Sequence, residues 1–211
     1  MDVAVLDFSK AFNTVPHDRL LGKLEFYGIT GPVLNWISAF LKGRTQSVLV
    51  EGEHSRKDPI LSGVPQGTVL GPLLFLLFVN DLPECVSEGT RTRLFADDCL
   101  VYREIRNQED RVQLQADLDA LGTWSARWGM RFNTSKCEIL QVGTGTRTLP
   151  DTHFYTLNGD VLKLVSARVP STWACWRRTT SRGRNISVQS QPRQTPSLAG
   201  LDAIFAAAHT S

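Results

Sequence analysis

At 211 residues, of which 42% are hydrophobic and 21% charged, the chain can build one substantial core, or one core plus an appendage. A formal charge of +2 argues against a uniformly basic duplex-binding surface: any nucleic-acid contact must come from cations clustered in space, or from parts of a larger enzyme that are missing. Six arginines crowd residues 166–211 against the single acid Asp202, and the remainder is mildly acidic.

Cys85, Cys99, Cys137 and Cys175 fall at no metal-ligand spacing, which fits reduced thiols. No signal peptide is visible, because Met1 is followed at once by Asp2 and a strand-like run. The longest apolar run, Val69 to Val79, contains Gly71 and Pro72 and is too short to span a bilayer. The expectation is a nuclear or cytoplasmic protein, not secreted and with no membrane partner.

In chain order, Val3-Ala4-Val5-Leu6 reads as a buried strand ending at Asp7. Asp18 to Phe26 carries Leu20, Leu21, Leu24 and Phe26, with Gly28 just beyond, and predicts a helix. Gly31-Pro32 opens a second, with Val33, Leu34, Trp36, Ile37 and Phe40 along one side; both read as packing helices. His17 and His54 lack partners at ligand spacing and read as structural or surface residues. Lys42 to Gly52 alternates well enough for a strand ending in a turn, with Lys42 and Arg44 placed either to meet phosphate or simply to be solvated.

Leu61-Ser62-Gly63-Val64-Pro65-Gln66-Gly67-Thr68-Val69-Leu70-Gly71-Pro72 is a loop whose backbone can approach a ligand closely. Pro72 suits the first turn of the apolar helix that follows, and a helix start favours an anion. Arg93-Leu94-Phe95-Ala96-Asp97-Asp98-Cys99-Leu100-Val101-Tyr102 reads as a hairpin interrupted by two adjacent carboxylates. An Asp-Asp pair is ordinarily a solvated turn. Its apolar flanks make this one part of a core element, where repelling like charges call for a hard cation such as Mg²⁺.

Asn107 or Asp110 caps a helix in which Leu114, Leu118, Leu121 and Trp128 recur at helical steps before Gly129. Met130 to Leu140 places Asn133 and Lys136 in a turn between strands, and Phe154 to Leu162 predicts a hairpin around Asn158-Gly159. Past about Val165 the periodicity fails, and disorder is the default reading of such composition.

Four of these stretches, in this order, resemble the boxes of non-LTR retrotransposon reverse transcriptases, most closely the Jockey-like elements: Leu6 to His17, Gly63-Val64-Pro65-Gln66-Gly67, Phe95-Ala96-Asp97-Asp98, and Asn133 to Lys136. The resemblance covers residues 1 to 165. It implies an α+β fold, a right-hand polymerase palm with an antiparallel sheet and packed helices, the fingers incomplete and the thumb degenerate or missing. The Asn-Gly hairpin would lie at the palm edge.

The resemblance also implies site roles. Asp7, Asp97 and Asp98 would be the catalytic carboxylates, binding two Mg²⁺ ions, with Mn²⁺ as an alternative. Phe8 and Ser9 would lie against the incoming triphosphate, and Phe12 would exclude a ribose 2′-hydroxyl, although its ring also suits an ordinary core position. Gln66 and Gly67 would cradle nucleotide and template, and Lys136 would approach the β,γ-phosphates. Asn13 departs from the family, which usually has Asp there. Implied partners are an RNA template, a DNA primer and dNTPs; protein partners are not specified.

The expected function is that of an RNA-directed DNA polymerase fragment. Because the chain begins almost at the first catalytic strand, the expectation for it alone is weak or no synthesis. The alternatives are an inactive nucleic-acid-binding remnant and an unstable pseudogene product. Codons possible for Ser171 to Trp176 and for Gly200 to Phe205 allow family-like segments in one shifted frame, so residues 166–211 read as a degenerate, disordered tail of possible frameshift origin.

Overall fold

A computed structural model of the chain describes residues 1–142 and 154–166, all within a unit running Met1–Ser166. The tail reading, with its frameshift, falls outside the described residues. The elements are β1 (Asp2–Asp7), α1 (Ala11–Thr14), α2 (His17–Phe26), α3 (Gly31–Leu41), the two-residue strands β2 (Thr45–Gln46), β3 (Leu49–Val50), β4 (Glu53–His54) and β5 (Asp58–Pro59), α4 (Leu70–Val79), β6 (Thr90–Phe95), β7 (Asp98–Arg103), α5 (Gln108–Trp128), β8 (Glu138–Gln141), β9 (Thr156–Leu157), β10 (Asp160–Val161) and β11 (Lys163–Ser166).

Five strands form the main sheet in the order β11-β8-β1-β7-β6. β1 is its centre, antiparallel to β7 on one side and β8 on the other. Strand alternation then sorts the side chains. Ala4, Leu6, Cys99 and Val101 are buried on the face that packs on helices, while Val5, Asp7, Asp98, Leu100 and Tyr102 lie on the opposite face, which is only partly covered.

The helical layer follows from apolar periodicity. Leu114, Leu118, Leu121, Trp124 and Trp128 of α5 are buried, and the helix begins where the Asn107 side chain accepts the Asp110 N–H at 2.9 Å. It ends at Gly129, whose φ of 72° is a left-handed cap. From α4, Leu74, Phe75, Phe78 and Val79 join the same core.

Within that core sits a lysine. Lys23 of α2 is 1% exposed, donates to the Phe78 carbonyl at 2.6 Å and to Asp81 at 2.5 Å, and lies 3.7 Å from the centre of the Trp128 ring, with Phe78 and Trp124 at 4.8 and 4.9 Å. The carboxylate and three ring faces replace water around the ammonium.

Several expectations need correcting. The sheet is not wholly antiparallel, since β11 pairs with β8 in parallel. A parallel partner requires a crossover, and the chain before β11 carries the Asn-Gly hairpin. That hairpin, β9–β10, is a separate two-stranded sheet packed on α5, where the Gln115 amide bridges to Thr156, and β11 rather than the hairpin forms the edge of the main sheet. Its turn is as expected, with φ of 53° at Asn158 and 89° at Gly159. The run from Lys42 to Gly52 is not one strand: β2 pairs with β5 and β3 with β4, the turn falling at Glu51-Gly52. In α3 only Ile37 and Leu41 are buried, while Val33 and Trp36 face outward. The three described cysteines are free, and no helix among the described residues is long and apolar enough to cross a membrane.

Candidate active site

Asp7 is the last residue of β1 and Asp98 the first of β7, and the register places them directly opposite each other. Side chains so paired share a face, with Cβ atoms about 5 Å apart. Asp97 lies in the β6–β7 turn, one residue before Asp98. Phe95 and Asp98 close it, and Ala96 carries a φ of 53°. Positive φ at the first central position alone is the sign pattern of a type II′ turn, which glycine would occupy without strain. The turn places both acids at the end of the hairpin, and the register puts Asp98 on the sheet face that the helices leave open.

Carboxylates facing across a ladder repel. The only cation within ion-pair distance of Asp7 among the described residues is Lys136, with its Nζ 3.9 Å from Oδ1. That contact is long and largely solvated, so it offsets the repulsion weakly. The described residues hold no ready-made group of three His, Cys, Asp or Glu side chains in metal-holding geometry. What they do provide is a facing pair of hard oxygen donors with a third acid next in sequence, a donor set that suits Mg²⁺ or Mn²⁺ and not a soft metal.

Lys136 and Asp7 meet because the Asn133–Lys136 turn is sewn to the end of β1. The Asn133 N–H donates to the Asp7 carbonyl and the Ser9 N–H to the Arg131 carbonyl, each at 2.8 Å. Phe8 and Phe132 form a bridge between these bonds and stack with centroids 4.4 Å apart. The Asp7 N–H points at Cys137 Sγ, 3.4 Å away, and burial pushes that thiol above its ordinary value. Phe8 is therefore a core ring, and the Ser9 N–H is already used, leaving the Ser9 hydroxyl to meet a ligand.

The Gly/Pro loop is laced to the segment after β1. Val64 N–H donates to Phe12 O at 2.7 Å and Gly63 N–H to Val15 O at 2.8 Å. Buried His17 donates through Nε2 to the Gly63 carbonyl at 2.8 Å, so it is a structural residue. The Gln66 amide donates to Asn13 Oδ1 at 3.2 Å, an acceptor that Asp would also supply. Two glycines are sterically required: a Cβ at Gly63 would lie 2.8 Å from Asn13 Cα, and one at Gly71 2.2 Å from the Pro65 carbonyl oxygen. Gly67 has a φ of 76° and open space around it, so a ligand can come close there.

Phe12 is half-buried and stacks on Phe75 of α4 at 4.6 Å, which fixes the ring while leaving part of it uncovered. The start of α4 is less open to an anion than its sequence suggests, because the Gly71 N–H is taken by Thr68 Oγ1 at 3.0 Å and Pro72 has none. Sequence reasoning missed the His17–Gly63 and Gln66–Asn13 bonds. Each joins residues far apart in the chain, and no local pattern announces either.

Comparison with known proteins adds a family, two relatives and one solved structure. The family described as "Reverse transcriptase (RNA-dependent DNA polymerase)" matches residues 3–176. The RNA-directed DNA polymerase from mobile element jockey of Drosophila melanogaster is 34% identical over 168 residues, covering 76% of this chain and 18% of the relative. The probable RNA-directed DNA polymerase from transposon X-element of the same organism is 32% identical over 149 residues, covering 69% of this chain and 16% of that one. The chain thus spans less than a fifth of the length of these relatives. Among solved structures, apo telomerase from Candida tropicalis truncated from its C-terminal domain superposes with a TM-score of 0.50 at 13% identity, over 77% of this chain and 35% of that one.

Proposed function

The chain belongs to the reverse transcriptase family, and from that premise we propose that residues 1–165 form the palm of an RNA-directed DNA polymerase, which joins a deoxynucleotide to a primer 3′-hydroxyl opposite an RNA template. The observation that carries this reading is the register that sets Asp7 against Asp98, with the Lys136 ammonium 3.9 Å from Asp7.

Asp7, Asp97 and Asp98 would hold two Mg²⁺ ions, or Mn²⁺ in their place. When bound, such ions supply positive charge where negative charge develops in phosphoryl transfer. The chain's own residues do the rest. Lys136, half-free on its turn, reaches toward the β,γ-phosphates and can deliver a proton to departing pyrophosphate. Phe12, held by Phe75, stands as a wall against a ribose 2′-hydroxyl. Gln66, steadied by Asn13, and Gly67 line the nucleotide and template, while the Phe8 backbone and the Ser9 hydroxyl border the triphosphate.

The test combines Mn²⁺ binding, followed by electron paramagnetic resonance, with single-turnover addition of one nucleotide to oligo(dT) on poly(rA). Mn²⁺ binding is expected in the wild-type chain, with nucleotide addition weak at most for this fragment alone, and both are expected to be lost in Asp98→Asn. Ion binding that is unchanged in that variant, or nucleotide addition that survives it, would overturn the reading.

A further inference from the structure

On the open face of the sheet, the rows of side chains can be read strand by strand from the register. β1 places Val3, itself buried, and Val5, and β7 places Leu100 and Tyr102, before the strands reach Asp7 and Asp98. β8 offers Glu138 and Leu140. Lys163 of β11 stands opposite Glu138 and pairs with it at 3.5 Å. Among the described strand residues, the uncompensated cations of this face are therefore on β6 alone, where Arg91 faces Tyr102, Arg93 faces Leu100 and Phe95 faces Asp98.

All three β6 side chains are exposed, Phe95 at 81%. Arg93 makes one bond, to the carbonyl of its neighbour Thr92 at 3.2 Å, and neither guanidinium has a carboxylate within ion-pair distance among the described residues. Alternation on the same strand gives the reverse pattern on the other face, where Thr90 and Thr92 are buried and Thr90 donates to Asp117 of α5. The arginines are thus held outward by a strand anchored from behind.

We propose that Arg91 and Arg93 bind successive phosphates of the primer strand as it runs along the outer face of β6 to the carboxylates. Alternate residues of a strand are about 6.8 Å apart, comparable with the separation of neighbouring phosphates along a nucleic-acid strand, and guanidinium is the side chain best suited to phosphate. The row ends beside Asp98, where the reacting end must lie, and only the primer strand has its end there. Phe95, bare and next to the acids, offers a ring to the terminal base or sugar. This assignment rests on the polymerase reading for the identity of the strand. The phosphate contact itself does not depend on catalysis.

The experiment measures anisotropy of a fluorescent oligo(rA)·oligo(dT) hybrid against salt for the 211-residue chain, Arg91→Gln, Arg93→Gln, the double variant and Arg56→Gln, with Mn²⁺ binding followed in parallel. Each β6 arginine removed is expected to lower the slope of log K against log salt by about 1 and to leave Mn²⁺ binding unchanged. Arg56, already paired with Asp58 at 3.0 Å, is expected to leave the slope unchanged. A 5-iodouracil near the 3′ end of the DNA strand is expected to crosslink to β6.

An unaltered slope in the double variant, or an equal fall in Arg56→Gln, would overturn the phosphate assignment even with ion binding intact. Crosslinking to β6 from the RNA strand instead would overturn the primer assignment. Loss of ion binding in the wild-type chain, with the slope effect preserved, would remove the polymerase reading and leave the phosphate contacts standing.

Discussion

Replacing Lys23 with methionine isolates the energetics of the buried cation. The substitution keeps the length of the side chain but leaves the Asp81 carboxylate in the core without its ammonium. Asp81 Oδ2 already lacks a hydrogen-bond partner, so nothing nearby takes over. Breaking one half of a buried pair costs about 3–5 kcal/mol, and with a urea dependence of about 2 kcal/mol per molar the unfolding midpoint falls by about 2 M. The double variant Lys23→Met, Asp81→Leu is expected to recover most of that loss, because two apolar side chains leave no buried charge.

The pH dependence has a definite sign. Burial, opposed by the Asp81 charge and hydrogen bond, lowers Lys23 from 10.5 to about 8, so between those values the unfolded chain binds a proton that the folded chain has released. Stability conferred by this residue therefore rises as pH climbs through 8 toward 10.5, by at most about 1.4 kcal/mol per pH unit. Above pH 9 Cys85 acts in the opposite direction, its thiol being pushed by burial from 9.0 to about 11. The clean window is pH 8–9. Urea unfolding of wild type and Lys23→Met there should show the difference between them growing with pH. A loss below about 1 kcal/mol at pH 7, or a difference that shrinks from pH 8 to 9, would refute the argument.

Gly71→Ala is expected to lose about 1–3 kcal/mol of stability, read by urea unfolding, because the added methyl meets the backbone oxygen of Pro65 and displaces the loop bearing Gln66. Asn107→Ala removes the acceptor for the Asp110 N–H and should cost about 1 kcal/mol in the same unfolding assay, without changing Mn²⁺ affinity.

Elements whose signals are local were legible in the sequence. α5 declared itself through its cap, its leucine spacing and its terminal glycine, and the Asn158-Gly159 turn through residues that tolerate positive φ. The β6–β7 hairpin was legible for another reason: strand-like flanks on both sides of Ala96-Asp97 call for a tight turn. What failed was non-local or competitive. Nothing in Lys163–Ser166 says that it lies parallel to β8, because register is set by a partner distant in sequence. Trp36 and Val33 fit a helical stripe and yet remain exposed, since periodicity tells which residues share a side and not whether anything covers it.

The central position of β1 bears on how the chain comes to fold. Its two neighbours, β7 and β8, are translated long after it, so during synthesis this apolar strand waits with both hydrogen-bonding edges bare while helices form from nearby contacts. Such a topology has many long-range pairings and closes slowly. The same backbone positions that later hold the acids in line are, for that interval, open to any passing strand of another nascent chain, and dilution or a holding chaperone should raise the yield of folded protein more than any change to the helices.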